Sequence, residues 1–129
     1  VYGVDLVEWQ LRIAAGERLT LAQADLVPRA HAIEARVCAE DPAAGFVPRA
    51  GRLGRLDWPR EDARVRVDAG FESGDTVPTH YDSLLGKVVG TGADRAAARR
   101  ALEAALGATR IAAIAANIYW LRRAVASPA

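Results

Sequence analysis

The sequence predicts an α+β domain, a small antiparallel sheet with helices packed on one face. Three observations predict it. Residues 31–40 alternate: His31, Ile33, Ala35, Val37 and Ala39 make a mostly apolar row, and Glu34, Arg36, Cys38 and Glu40 a mostly polar one. That is a strand with one face on a core. Residues 80–89 carry Leu and Val on both faces, as a central strand does. Apolar residues recur at helical spacing towards both ends of the chain.

In order, residues 4–15 place apolar side chains at Val4, Val7, Leu11 and Ala14, with Leu6, Trp9 and Ile13 beside them, and Gly16 follows as a stop. Residues 17–28 read as a connection ending at Pro28, before the alternating strand. Residues 41–51 read as a loop rich in Pro, Gly and Ala that contains Phe46. Residues 52–58 and 64–68 are short strands separated by Pro59-Arg60-Glu61-Asp62, a turn sequence. In the second, Val65 and Val67 point one way and Arg64, Arg66 and Asp68 the other. Residues 70–78 form a further link, and the strand over 80–89 is expected to break at Gly90 and Gly92. Asp94 is an N-cap for a helix to Leu106, with Ala98, Ala101, Leu102 and Ala105 on its apolar side and Gly107 ending it. Asn117 is placed to cap a last helix carrying Ile118, Trp120, Leu121 and Val125. The sum is a meander of about four strands with helices around it.

Bulk properties bound the function. The 129 residues make one domain, residues 1–129. Seventeen basic residues against 16 acidic ones give a net charge of +1, which leaves no footprint for nucleic acid. No apolar run approaches ~18 residues, so no membrane helix is expected. The single cysteine, Cys38, excludes an internal disulfide and fits a reducing, cytoplasmic setting. A chain without Met reads as a piece cut from a longer protein.

Several constellations invite chemistry. His31 and Glu34 fall on opposite faces of a strand and cannot share a metal without a bulge. Cys38, His80 and Asp82 are the residue types of a thiol hydrolase, yet nothing beyond type joins them. Gly90-Thr91-Gly92 lacks the remaining residues of a phosphate loop. Arg99-Arg100 and Arg122-Arg123 read as solvated helix faces. Trp9, Trp58 and Trp120 are spread as core and interface anchors rather than a stacking platform. Arg66 stands out, because a strand whose Val65 and Val67 face inward presents its guanidinium on a rigid element. Such a fork suits planar oxyanions and ureido carbonyls, although most strand arginines are simply solvated.

The segment His31-Ala32-Ile33-Glu34-Ala35-Arg36-Val37-Cys38-Ala39-Glu40-Asp41-Pro42 closely resembles the His-Ala-Ile-Glu-x-Arg-x-x-Ala-Glu-x-Pro signature of the C-terminal domain of biotin carboxylases. Residues 3–16 resemble that family's Gly-x-Asp-Leu-Val-x-x-Gln-x-x-Ile-Ala-x-Gly helix. Val65-Arg66-Val67-Asp68 is similar to its Val-Arg-x-Asp/Glu strand, and residues 81–87 to its Tyr-Asp-Ser/Pro-x-x-x-Lys strand. Asn117-Ile118 falls where Thr-Asn-Ile/Val is usual. The motifs follow in family order. Ala30, Arg49-Ala50-Gly51 and Ala116 depart from it, at turns and packing positions.

The resemblance implies that ATP-grasp domains of the same chain bind ATP and magnesium, activate bicarbonate and carboxylate biotin on a carrier domain. It places their metal ligands, bicarbonate arginine and general base in a Glu-x-Asn-x-Arg-x-Gln-Val-Glu-His segment expected before Val1. A distal segment that helps close the adenine pocket is expected beyond Pro128. Only the biotin-facing wall would fall within residues 1–129, with Arg66 matching the arginine that contacts the biotin ureido oxygen. A biotin carboxyl carrier domain, a carboxyltransferase subunit and a further copy of the chain are the implied partners. The acyl acceptor is left open. The rival reading is a domain kept for assembly, with Arg66 idle: an active-site arginine needs an open polar face, an assembly arginine a partner carboxylate.

Overall fold

In the computed structural model, which describes residues 1–127, the chain forms three α-helices and nine short strands. The helices are α1 (Leu6–Ala14), α2 (Arg95–Ala108) and α3 (Ile118–Ala126). The strands are β1 (His31–Cys38), β2 (Glu40–Asp41), β3 (Val47–Pro48), β4 (Gly51–Arg52), β5 (Arg55–Asp57), β6 (Val65–Ala69), β7 (Thr76–Val77), β8 (Leu84–Gly92) and β9 (Arg110–Ala112). Pro128, near which the distal segment is expected to begin, lies outside the described residues.

β8 is the central strand, as its two-sided apolar content requires, with β1 and β6 antiparallel on either side. The alternation along β1 holds: Ala35, Val37 and Ala39 are buried while Glu34 and Arg36 are exposed. Cys38 departs from its row. A register shift after Val37 pairs Cys38 with Leu84, and the thiol is buried. β8 begins at Leu84 rather than residue 80, because Asp82 Oδ1 accepts from Leu84 N at 3.2 Å and turns the preceding segment.

The expected break at Gly90 and Gly92 does not occur; β8 runs through both. Helix α2 packs across the strand there, and a β-carbon on Gly92 would stand 2.6 Å from the Ala97 side chain. These glycines permit close approach of helix and strand. α2 starts where Asp94 Oδ1 accepts from Ala97 N at 2.7 Å, buries Ala98, Leu102, Ala105 and Leu106, and continues past Gly107 to Ala108. Arg99 is not a solvated residue: Nη1 donates to Val125 O at 3.0 Å and ties α2 to α3.

The meander is more fragmented than the sequence suggests. Residues 52–58 split at Leu53-Gly54, so β4 pairs with β7 while β5 pairs with β9, a strand hidden in the alanine-rich stretch. The split turns Leu53 and Leu56 into the core with Val77, Leu85, Leu102 and Leu106, each worth ~1.5–3 kcal/mol on full burial.

α1 is capped by Asp5, whose Oδ1 accepts from Val7 N and Glu8 N, both at 3.0 Å. It buries none of its residues. Val7 and Leu11, in its apolar stripe, are 64% and 68% exposed. Helical spacing predicts an apolar face but not what covers it.

Candidate functional site

The sheet's outward face is set by register. One cross-strand row runs Glu34, Val89, Arg66, and the next runs Arg36, Lys87, Asp68. With strands ~4.8 Å apart, each row spans ~10 Å. Arg66 and Arg36 therefore stand on the two outer strands, diagonally across Lys87 and Val89.

Arg66 is placed as its strand pattern predicts. Val65 and Val67 turn to the opposite face, and Glu61 Oε1 accepts from Val67 N at 2.8 Å along β6. The Arg66 side chain is 67% exposed, and its Nη2 lies 3.1 Å from Asp68 Oδ2, two residues along the same face. Both features sought for it are thus present, an open polar face and a partner carboxylate.

Arg36, passed over in the polar row of β1, lines a cleft of about 460 Å³ with Glu34, Glu40, Asp82 and Ser83. Its Nη2 is 3.7 Å from Asp82 Oδ2, a long pairing that leaves most of the guanidinium's five donors free. The cleft walls are fixed: Ser83 Oγ donates to Glu40 Oε1 at 2.7 Å. The signal in the sequence was the polar alternation around Arg36, but the register shift that shapes the cleft leaves no mark there.

Asn117 corrects the helix-capping expectation. It occupies the N-cap position of α3, yet its side chain makes no capping bond. Instead Oδ1 accepts from Cys38 N at 3.0 Å and Nδ2 donates to Arg36 O at 3.1 Å. Its backbone N donates to Cys38 O at 3.1 Å.

The thiol hydrolase does not assemble. Cys38 is 9% exposed, and burial first, then the Glu40 carboxylate, pushes its thiol up, away from the thiolate a nucleophile needs. His80 is exposed in the bend before β8, and no hydrogen bond or ion pair joins it to Cys38 or Asp82. His31 pairs with Gly92 on the core face while Glu34 pairs with Val89 on the other, so they share no metal. Among the described residues no group of three or more His, Cys, Asp and Glu could hold a metal ion, and no helix is long and apolar enough to cross a membrane.

The family model for the biotin carboxylase C-terminal domain matches residues 34–129. The chain belongs to the biotin carboxylase C-terminal domain family. It is 41% identical over 128 residues to the methylcrotonoyl-CoA carboxylase alpha subunit of Mus musculus, covering 99% of this chain and 18% of that protein. It is 50% identical over 95 residues to the biotin carboxylase of Pseudomonas aeruginosa, covering 74% of this chain and 21% of that protein. The biotin carboxylase domain of Hydrogenobacter thermophilus 2-oxoglutarate carboxylase, solved with MgADP, ADP and bicarbonate, superposes with a TM-score of 0.92 at 34% identity. That match covers 98% of this chain and 28% of the solved one. The chain therefore spans about a fifth of the curated relatives named here. Within this family, the α+β fold and the order of its motifs are those the sequence suggests.

Proposed function

We propose that this chain is the C-terminal part of a biotin carboxylase, which uses ATP and bicarbonate to carboxylate biotin on a carrier domain for acyl-CoA carboxylation. Its outward sheet face completes the biotin side of the active site, and the rest of the domain scaffolds the ATP-grasp core. ATP and magnesium belong to the ATP-grasp domains of the same chain, and the carrier domain and a carboxyltransferase subunit are the partners. A cytoplasmic location and self-association belong to the same proposal.

One observation carries this reading: guanidinium groups and an ammonium stand together on an open, rigid sheet face (Arg66, Arg36 and Lys87). That donor set fits a ureido carbonyl, a planar acceptor complementary to a fixed fork of N–H groups. Biotin, when delivered by its carrier, supplies the ring nitrogen that receives the carboxyl group. The residues of this chain orient the ring and stabilise negative charge developing on the ureido oxygen.

Arg66 is the first choice for that role, through the Val-Arg-x-Asp pattern of its strand. A second reading assigns it to Arg36. Its cleft and its long 3.7 Å pairing with Asp82 favour this, because Arg66 is engaged by Asp68 at 3.1 Å.

Steady-state kinetics on the carboxylase carrying this domain separate the readings. Loss of the working guanidinium in Arg66→Ala or Arg36→Ala should cost ~2–4 kcal/mol of transition-state stabilisation, a ~30- to 1000-fold slower biotin carboxylation. Nucleotide binding should be unchanged, and lysine at that position should rescue poorly. Melting should move little, since both ion pairs are exposed and worth about 0–1 kcal/mol. Near-normal carboxylation by both alanine variants would leave an assembly domain. Residues 1–129 alone should hydrolyse no ATP, because nucleotide, metal and base ligands are assigned to the ATP-grasp domains.

A further inference from the structure

We infer that Asn117 is a positioning residue for the biotin carboxylation reaction, acting by clamping the β1 backbone at Arg36 and Cys38, beside the cleft that Arg36 lines. The inference rests on the reading that gives Arg36 a role. Three hydrogen bonds carry it: Cys38 N to Oδ1 at 3.0 Å, Nδ2 to Arg36 O at 3.1 Å, and Asn117 N to Cys38 O at 3.1 Å.

The place where these bonds act gives them meaning. The register of β1 against β8 slips between Val37 and Cys38, so ladder bonds do not by themselves fix the strand just past Arg36. β1 is an outer strand of its sheet, and its free edge is where α3 approaches. Asn117 replaces the missing neighbour strand there, as one donor and one acceptor in a residue that is 6% exposed. An amide can satisfy a strand's N–H and C=O together; an ionised carboxylate, which has no donor, cannot. The side chain is thereby diverted from the N-cap of its own helix, a bond that would have helped α3. Holding the carbonyl of Arg36 fixes the Cα–Cβ direction of that residue, and with it the mouth of the cleft shared with Asp82 and Ser83. Misplacement of a positioning group by ~1 Å is enough to slow a reaction ~100-fold.

The test is a double-mutant cycle in the carboxylase carrying this domain, with turnover of free biotin, nucleotide KM and melting read for each variant. Asn117→Ala should slow biotin turnover ~10- to 100-fold while nucleotide KM stays within about twofold. In an Arg36→Ala background the same change should slow turnover no further, because Asn117 acts through Arg36. Asn117→Asp keeps the acceptor for Cys38 N and loses the donor to Arg36 O, so it should fall between and serves if the alanine variant does not fold. Ile111→Ala is the control: Ile111 packs against the core from β9, does not line the cleft and makes no clamp. The inference is overturned if Ile111→Ala, at an equal loss of melting temperature, slows turnover as much. Full additivity with Arg36→Ala overturns it as well. An Arg36→Ala enzyme of normal rate removes the Arg36 reading itself, and Asn117 then has nothing to position.

Discussion

Gly90 lies flush beneath Leu102. A β-carbon built on Gly90 would stand 2.5 Å from the Leu102 backbone nitrogen and 2.6 Å from the Ala98 carbonyl oxygen. Both are backbone atoms of α2, so no rotamer change relieves the contact, and the helix itself would have to lift off β8. Gly90→Ala should destabilise the fold by about 2–3 kcal/mol. Gly107, in the last turn of the same helix, has nothing within 4 Å of where its β-carbon would stand, and Gly107→Ala should stabilise by about 0.5–1 kcal/mol. Urea unfolding of the two variants checks the pair; equal effects would show that α2 does not press on β8.

That contact also shows where the sequence stops being readable. Strand β1, the cap at Asp94, the apolar side of α2 and the central place of β8 all follow from local rules of period and charge. Glycine in a strand is locally a breaker, and only the helix lying over it makes it a requirement, so the end of β8 was out of reach. Asn117 repeats the lesson. Its position before a helix reads as a cap, while its partners, Arg36 and Cys38, lie about 80 residues away along the chain. Arg66 was legible because its strand alternates. Arg36 was equally regular, but its cleft is built by a register slip and by Asp82 from another segment, which no local pattern encodes.

Cys38 should behave as a packing residue. Burial is the first cause that raises its thiol, and the Glu40 carboxylate adds to it. A raised folded pKa means the folded state keeps the proton: the associated stability is fully present below the unfolded value of ~8.5 and is lost as pH rises through the folded value. At pH 7.5 a thiol reagent should modify native Cys38 at least ~100-fold more slowly than the urea-unfolded chain. Stability should decline above about pH 8.5 in the wild type and less so in Cys38→Ala. Rapid labelling of the native chain would revive the nucleophile.

Asp62 governs the turn into β6. Its Oδ1 accepts from Arg64 N at 2.7 Å and from Val65 N at 2.9 Å. The bond from Arg64, ahead of the opposing desolvation, holds its carboxyl below the usual range. A depressed carboxyl contributes stability that is present above the unfolded value of ~3.9 and lost as pH falls through the folded one. Asp62→Asn can still accept from the backbone but cannot titrate there. Urea midpoints below about pH 4 should therefore fall less steeply for Asp62→Asn than for the wild type. Parallel slopes would mean that the turn persists in the unfolded chain.

The apolar side of α1 should drive association of the 129-residue chain. Leu6, Val7, Leu11 and Ile13 are all exposed, at 73%, 64%, 68% and 49%, and α1 has no buried residue to anchor it. Trp9 is partly shielded by the Arg12 guanidinium, 4.3 Å from the ring centre, which leaves the tryptophan at the surface. Contiguous apolar patches beyond a few hundred Å² favour contact with other surfaces over contact with water. Sedimentation should show concentration-dependent self-association together with binding of a hydrophobic dye. Leu11→Glu should abolish both with melting changed by less than about 0.5 kcal/mol, because the replaced side chain is mostly exposed. A monomeric, dye-silent chain at high concentration would mean that α1 folds back onto the domain in solution and covers its own apolar side.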